Sequence, residues 1–178
     1  MARDDELKYA GEFRIDECII ITHEGFEYGI TDLIEAVNFY EDIYSATVSG
    51  SIIVKDTTNI VMNFPIIGQE RLRLKIQTPQ TNPTRETMID FTNSPLYIYK
   101  INMQEGVNEG SQVVSLEFAS SEGLRNQTSR ISQSYSGQPS DIVEKILRDE
   151  SYLKSKKELN VEPTANNVKI VFPNYKPF

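Results

Sequence analysis

Thr47-Val48-Ser49-Gly50-Ser51-Ile52-Ile53-Val54-Lys55 is the stretch on which the fold turns. Val48, Gly50, Ile52 and Val54 fall on one side of an extended chain, and Thr47, Ser49, Ser51 and Lys55 on the other. Side chains alternate across a strand, so residues 47–55 are predicted to form a half-buried β-strand. Glu70-Arg71-Leu72-Arg73-Leu74-Lys75-Ile76-Gln77 repeats the pattern, with Leu72, Leu74 and Ile76 opposite Arg71, Arg73 and Lys75. One sheet face is therefore expected to be buried and the other polar.

Towards the N-terminus, residues 13–22 are rich in β-branched side chains and read as a strand, with Gly25 and Gly29 as punctuation after it. Residues 32–44 suit two periods. Leu33, Ile34, Val37 and Tyr40 make a helical stripe, while Val37, Phe39, Glu41 and Ile43 alternate. The aromatic and β-branched content of this segment favours a strand. Residues 1–11 are polar and aperiodic, an arm expected to order only against a partner. Asp56 is placed to cap a short helical turn through Asn59, Val61 and Met62, which Pro65 ends.

Towards the C-terminus, Gly68 opens the strand at 70–77, and residues 79–85 with their two prolines read as a loop. Strands are expected around 88–91 and 96–103, with Asn93-Ser94-Pro95 as the turn between them. Gly106 and Gly110 bracket a hairpin loop, and residues 112–119 alternate again. Residues 124–136 are polar with sparse apolar positions. After Gly137-Gln138-Pro139, Ser140 is predicted to cap a helix over 141–148, whose Ile142, Val143, Ile146 and Leu147 form an apolar stripe. A strand over 168–172 precedes Pro173 and Pro177, and the natural chain is expected to continue beyond Phe178. The expected organisation is mainly β with some α. It comprises an arm over 1–11, a β body over 12–136 with one small helical insert, and a helix-plus-strand segment over 137–178 leading into a further domain.

Composition narrows the function. The 178 residues are 39% hydrophobic and 25% charged, as in folded globular domains. A net charge of −8 removes the attraction on which nucleic-acid affinity rests. The apolar run Cys18-Ile19-Ile20-Ile21 is far shorter than the ~20 residues of a membrane helix. Met1-Ala2-Arg3-Asp4-Asp5-Glu6 lacks the pattern of a secretory signal, so the chain is expected to stay in the cytoplasm where it is made. The sequon Asn126-Gln127-Thr128 is then a chance match. Cys18, the single cysteine, rules out an internal disulfide or a cysteine zinc cluster and reads as a small buried hydrophobe.

Candidate chemistry is sparse. His23 is the only histidine, which excludes a two-histidine metal site. It leaves one conceivable triad with Asp32 or Glu24, but there is no Gly-x-Ser-x-Gly elbow, so it reads as a turn residue. Asp16-Glu17 and Glu41-Asp42 are neighbours on strands and point to opposite faces, so neither pair is expected to flank one glycosidic bond. Glu35, Glu41 and Asp42 are expected instead to pair across strands with Arg71, Arg73 and Lys75. No glycine spacing matches a phosphate-binding loop, and no cofactor is expected. Phe39, Tyr40, Tyr44, Tyr97 and Tyr99 read as sheet packing or interface residues. The expectation is a protein that is not an enzyme.

Val37-Asn38-Phe39-Tyr40-Glu41-Asp42-Ile43, then Val48-Ser49-Gly50-Ser51-Ile52-Ile53-Val54-Lys55-Asp56, then Asn59-Ile60 and Pro65-Ile66-Ile67-Gly68-Gln69-Glu70-Arg71-Leu72, form a familiar arrangement. It resembles the first tube-like domain of central baseplate hub proteins of T-even-like contractile-tailed phages. The likeness continues at Gly137-Gln138-Pro139-Ser140-Asp141-Ile142-Val143 and at Ile170-Val171-Phe172-Pro173 with Lys176-Pro177-Phe178. The resemblance implies a split antiparallel β-barrel related to tail-tube subunits. Three full-length chains would form a pseudo-hexameric ring between tail tube and central spike, in the virion baseplate, after assembly in the host cytoplasm. Its implied partners are further copies of itself, the spike protein and tail-tube subunits, with no membrane, and DNA passes through without specific binding. Phe39, Tyr40, Glu41, Asp42, Arg71, Arg73 and Lys75 are the candidate interface or lumen residues, and part of the acidic surplus is expected to line the channel. Two alternatives stand beside this reading: a carbohydrate-binding or hydrolytic β-domain of a tail, and a component of a cellular contractile injection or type VI secretion system.

Overall fold

Alternation at residues 47–55 and 70–77 becomes two strands of one sheet. A computed structural model describes residues 13–45, 47–56, 67–78, 87–108 and 111–172. The arm at 1–11, the helical turn expected before Pro65, the loop at 79–85 and the stretch from Pro173 lie outside them. The chain divides into two compact units, Met1–Tyr40 with Ser49–Ala119 and Glu41–Val48 with Ser120–Phe178. Gly137, the boundary suggested by sequence, falls inside the second.

The strands of the large sheet are β1 (Arg14–Ile21), β2 (Glu27–Gly29), β3 (Ile34–Glu41), β4 (Val48–Asp56), β5 (Arg71–Thr78), β6 (Thr87–Asp90), β7 (Leu96–Asn108) and β8 (Ser111–Ala119). A 3-10 turn at Thr31–Leu33 leads into β3, so the segment that suited two periods is a single turn followed by a strand. β7 continues through Gly106 to Asn108, which lies opposite Ser111, with a register shift in the β7–β8 ladder between Gln104 and Asn108. The sheet is antiparallel, in the order β2-β1-β5-β7-β8-β4-β3, with β6 also pairing with β5.

Register carries the alternation into a core. Ile52 lies opposite Leu116 and Val54 opposite Val114, while Cys18 and Ile20 of β1 face Leu74 and Leu72 of β5. These side chains are buried in one cluster with Ile30, Leu96, Ile98 and Phe118. Each fully buried aliphatic side chain stabilises the fold by about 1.5–3 kcal/mol relative to exposure. Gly50 lies opposite Phe118, and a Cβ there would collide with the Phe118 ring and the Asn38 carbonyl oxygen. A side chain at position 50 has no room.

The sheet must curl. β2 and β3 occupy opposite ends of the strand order, yet only the five peptide steps from Gly29 to Ile34 join them. Six strand spacings of ~4.8 Å would separate them by ~29 Å in a flat sheet, and five residues reach at most ~18 Å. The two ends therefore approach one another around the shared core. Phe39 of β3 stacks on Phe91, just after β6, at 6.1 Å and meets Phe118 edge-on at 5.4 Å. Among the described residues no backbone ladder joins β2 to β3, so the barrel is not closed.

Cys18 is completely buried here. Its amide donates to Thr31 Oγ1 at 2.9 Å, and its carbonyl accepts from the Ile30 amide at 2.9 Å. Burial, reinforced by the Glu17 charge, pushes the thiol up to about 12. It is an inert apolar group at neutral pH.

The expected pairing of Glu35, Glu41 and Asp42 with Arg71, Arg73 and Lys75 does not occur. β3 and β5 are not neighbours in the sheet. Arg73 instead reaches Glu27 of β2 and Glu17 of β1. Its Nε–Glu17 contact, at 3.6 Å, is an ion pair without hydrogen-bond geometry.

The second unit is built from α1 (Ser121–Thr128), β9 (Ser134–Gly137), α2 (Pro139–Arg148) and β10 (Val168–Val171). Ile142 and Ile146, one turn apart on α2, join Ile131 and Tyr135 in a buried cluster that Val168, Ile170 and Phe172 flank. β9 and β10 pair antiparallel, with Tyr135 opposite Ile170. Ser140 does not cap α2. The helix starts two residues earlier, at Pro139 with Gln138 at the cap, because proline's fixed φ suits a first turn. The Ser140 hydroxyl lies in that turn, 3.3 Å from Asp141 Oδ1 and 3.4 Å from Thr164 Oγ1. Among the described residues, no helix is long and apolar enough to cross a membrane.

Candidate functional site

The connection from β3 to β4 projects apolar side chains into solvent. Asp42 organises it: its Oδ1 accepts from the Tyr44 amide at 2.9 Å, and its carbonyl accepts from the Ser45 amide at 3.0 Å. Ser45 Oγ and Thr47 Oγ1 are 2.7 Å apart, and the Ser120 amide donates to the Val48 carbonyl at 2.8 Å below. An aspartate bonding to the backbone two residues on fixes a tight turn. Held by that turn, Ile43 and Tyr44 are 91% and 92% exposed. Large apolar side chains exposed together in this way mark interaction surfaces.

Beside the turn lies an open hollow of about 490 Å³, lined by Glu41, Asp42, Ile43, Ser45, Thr47, Val48 and Lys157. Both carboxyl-bearing residues border it. Strict alternation ends with β3 at Glu41, and Asp42 already belongs to the turn.

Lys157 connects this hollow to a buried acid. Glu122, in the first turn of α1, accepts from Ser155 Oγ at 2.7 Å, and its other oxygen lies 3.5 Å from Lys157 Nζ. Burial on its own raises the carboxyl. The bond from Ser155, the amide of Glu122 itself, the Lys157 charge and Ser120 together outweigh burial and hold it below the usual glutamate range. Sequence gave no sign of this group, because an isolated glutamate in a polar stretch looks like surface.

A second hollow, of about 420 Å³, opens in the first unit where β1, β5 and β7 end side by side. His23, Gly68, Gln69, Arg71 and Tyr97 line it. Arg71 sits between Ile21 of β1 and Tyr97 of β7 in register. His23 rides on a tight turn in which the Thr22 carbonyl accepts from the Gly25 amide at 3.0 Å, and Thr22 Oγ1 accepts from the Phe26 amide at 3.1 Å. Gly25 there has φ of +93°. Glu70 fixes the opposite wall. Its buried carboxylate accepts three backbone amides, from Ile67 and Gly68 at 2.9 Å and from Gln69 at 3.1 Å, around Gly68 at φ +87°. Only glycine adopts such φ values cheaply.

The seven candidate interface or lumen residues have different surroundings, five of them in the first unit and Glu41 and Asp42 in the second. Phe39 packs into the core, and Tyr40 is exposed on the other face of β3. Glu41 and Asp42 border the first hollow, and Arg71 the second. Arg73 is held by Glu17 and Glu27, and Lys75 lies opposite Glu17 and Asp90 in register. Among the described residues no group of three or more histidine, cysteine, aspartate or glutamate side chains is arranged to hold a metal. Compared with known proteins, the chain matches no protein-family model and no curated protein.

Proposed function

We propose that this chain is a structural module of a contractile tail, the tube-like part of a baseplate hub in a virion, acting by docking rather than catalysis. The observation that carries the reading is the β3–β4 turn, which lies within the stretch resembling hub proteins and holds Ile43 and Tyr44 out to solvent. A curled antiparallel sheet whose end strands β2 and β3 share no ladder among the described residues supports it, because sheet edges offer backbone groups to a neighbouring subunit. In this reading the sheet is a split barrel of the tail-tube kind. Three full-length copies join tube to spike, and the acidic surplus faces the DNA path. A cellular injection system would use the module in the same way.

The test is solution mass, measured on the full-length protein alone and mixed with the spike and tube proteins of the same genome. A three-copy ring that binds the spike is expected; a monomer indifferent to both partners overturns the proposal. A second reading, glycan binding, rests on the hollow that Glu41 and Asp42 share. Glycan-array binding that is lost in Asp42→Asn would favour it.

A further inference from the structure

In a chain of net charge −8, the hollow at the ends of β1, β5 and β7 is lined by donors. Arg71 brings a permanent guanidinium, His23 a ring N–H, Gln69 an amide and Tyr97 a hydroxyl. Among the described residues no carboxylate lines this hollow, and none of these four side chains has a hydrogen-bond or ionic partner. Of the two acids that adjoin lining residues in sequence, Glu70 is buried and committed to three amides, and Glu24, next to His23, is exposed and does not line the hollow. We propose that this hollow binds a carboxylate.

Three physical points support that ligand class. A guanidinium presents parallel N–H groups that match the two oxygens of a carboxylate. With one permanent cation in an acidic molecule, the site balances a monoanion. A polyanion such as a nucleic-acid backbone would meet the repulsion of the whole chain. The donors also need little reorganisation: Arg71 is set in the ladder between β1 and β7, His23 stands on a hydrogen-bonded turn, and the Glu70 carboxylate ties down the backbone at Gly68 and Gln69. Preorganised groups lose less freedom on binding. The site is independent of the assembly proposed above.

His23 supplies its own reporter, because a single histidine gives one set of imidazole signals. The full chain is titrated at fixed pH and ionic strength with acetate, chloride, inorganic phosphate and glutamate blocked at both termini, while the His23 ring resonances are followed by NMR. The proposal expects a saturable shift with acetate, with a dissociation constant on the order of millimolar, and no saturation with chloride. Arg71→Gln should weaken it by about tenfold or more while leaving the backbone spectrum folded. Tighter binding of blocked glutamate than of acetate assigns the carboxylate to a polypeptide, and the reverse order assigns it to a free acid. A shift shared with chloride, binding unchanged in Arg71→Gln, or phosphate binding tighter than acetate overturns the assignment.

Discussion

At Gly50 the strand backbone passes so close to Asn38 and Phe118 that hydrogen is the only substituent with room. Gly50→Ala should cost about 1–3 kcal/mol, the usual penalty for overpacking, and lower the urea midpoint without changing the slope. The alternation of residues 47–55 already placed this glycine on the inner face, although its ring neighbour needed the register with β8. Glu122 was not legible at all, since its partner Ser155 lies 33 positions away. Its carboxyl is held below its unfolded value, so it contributes stability above the unfolded pKa of roughly 4.3. That contribution is lost as pH falls through the lower folded value. Glu122→Gln should therefore lower stability at neutral pH and flatten the acid side of a stability–pH curve measured by denaturant titration.

Elements with a sustained period were readable and the short ones were not. β4, β5 and β8 stand within a residue or two of their predicted bounds, because each places apolar side chains on one face over eight or nine residues. β2 and β9, of three and four residues, are too brief for any period to register. α1 was hidden for another reason: its buried residue is an acid. The stripe on α2 was visible, and Ile146→Ala should cost about 2–5 kcal/mol, seen as faster hydrogen exchange of the β9 and β10 amides. The β3–β4 turn yields the opposite expectation. Ile43→Ser with Tyr44→Ser should change stability by no more than about 0.5 kcal/mol, because both side chains stand in solvent. On the docking proposed above, sedimentation should nevertheless show weaker self-association.

For the molecule as a whole, composition indicated a folded, acidic chain and alternation a mainly β one, but strand order was beyond both. Periodicity says which face of a strand is buried and nothing about which strand lies beside it, which is why the acids of β3 were paired with the wrong cations. Once the order is known, the short link from Gly29 to Ile34 is enough to require a curled sheet. The same wrapping encloses Cys18, and this makes the chain its own clock. An alkylating reagent can modify the one thiol only after the first unit opens, since the closed state offers neither access nor thiolate. Mass spectra taken during slow labelling should show a single +1 adduct whose rate tracks opening, accelerated in Gly50→Ala. Rapid modification under native conditions would mean that the sheet is looser than its register implies.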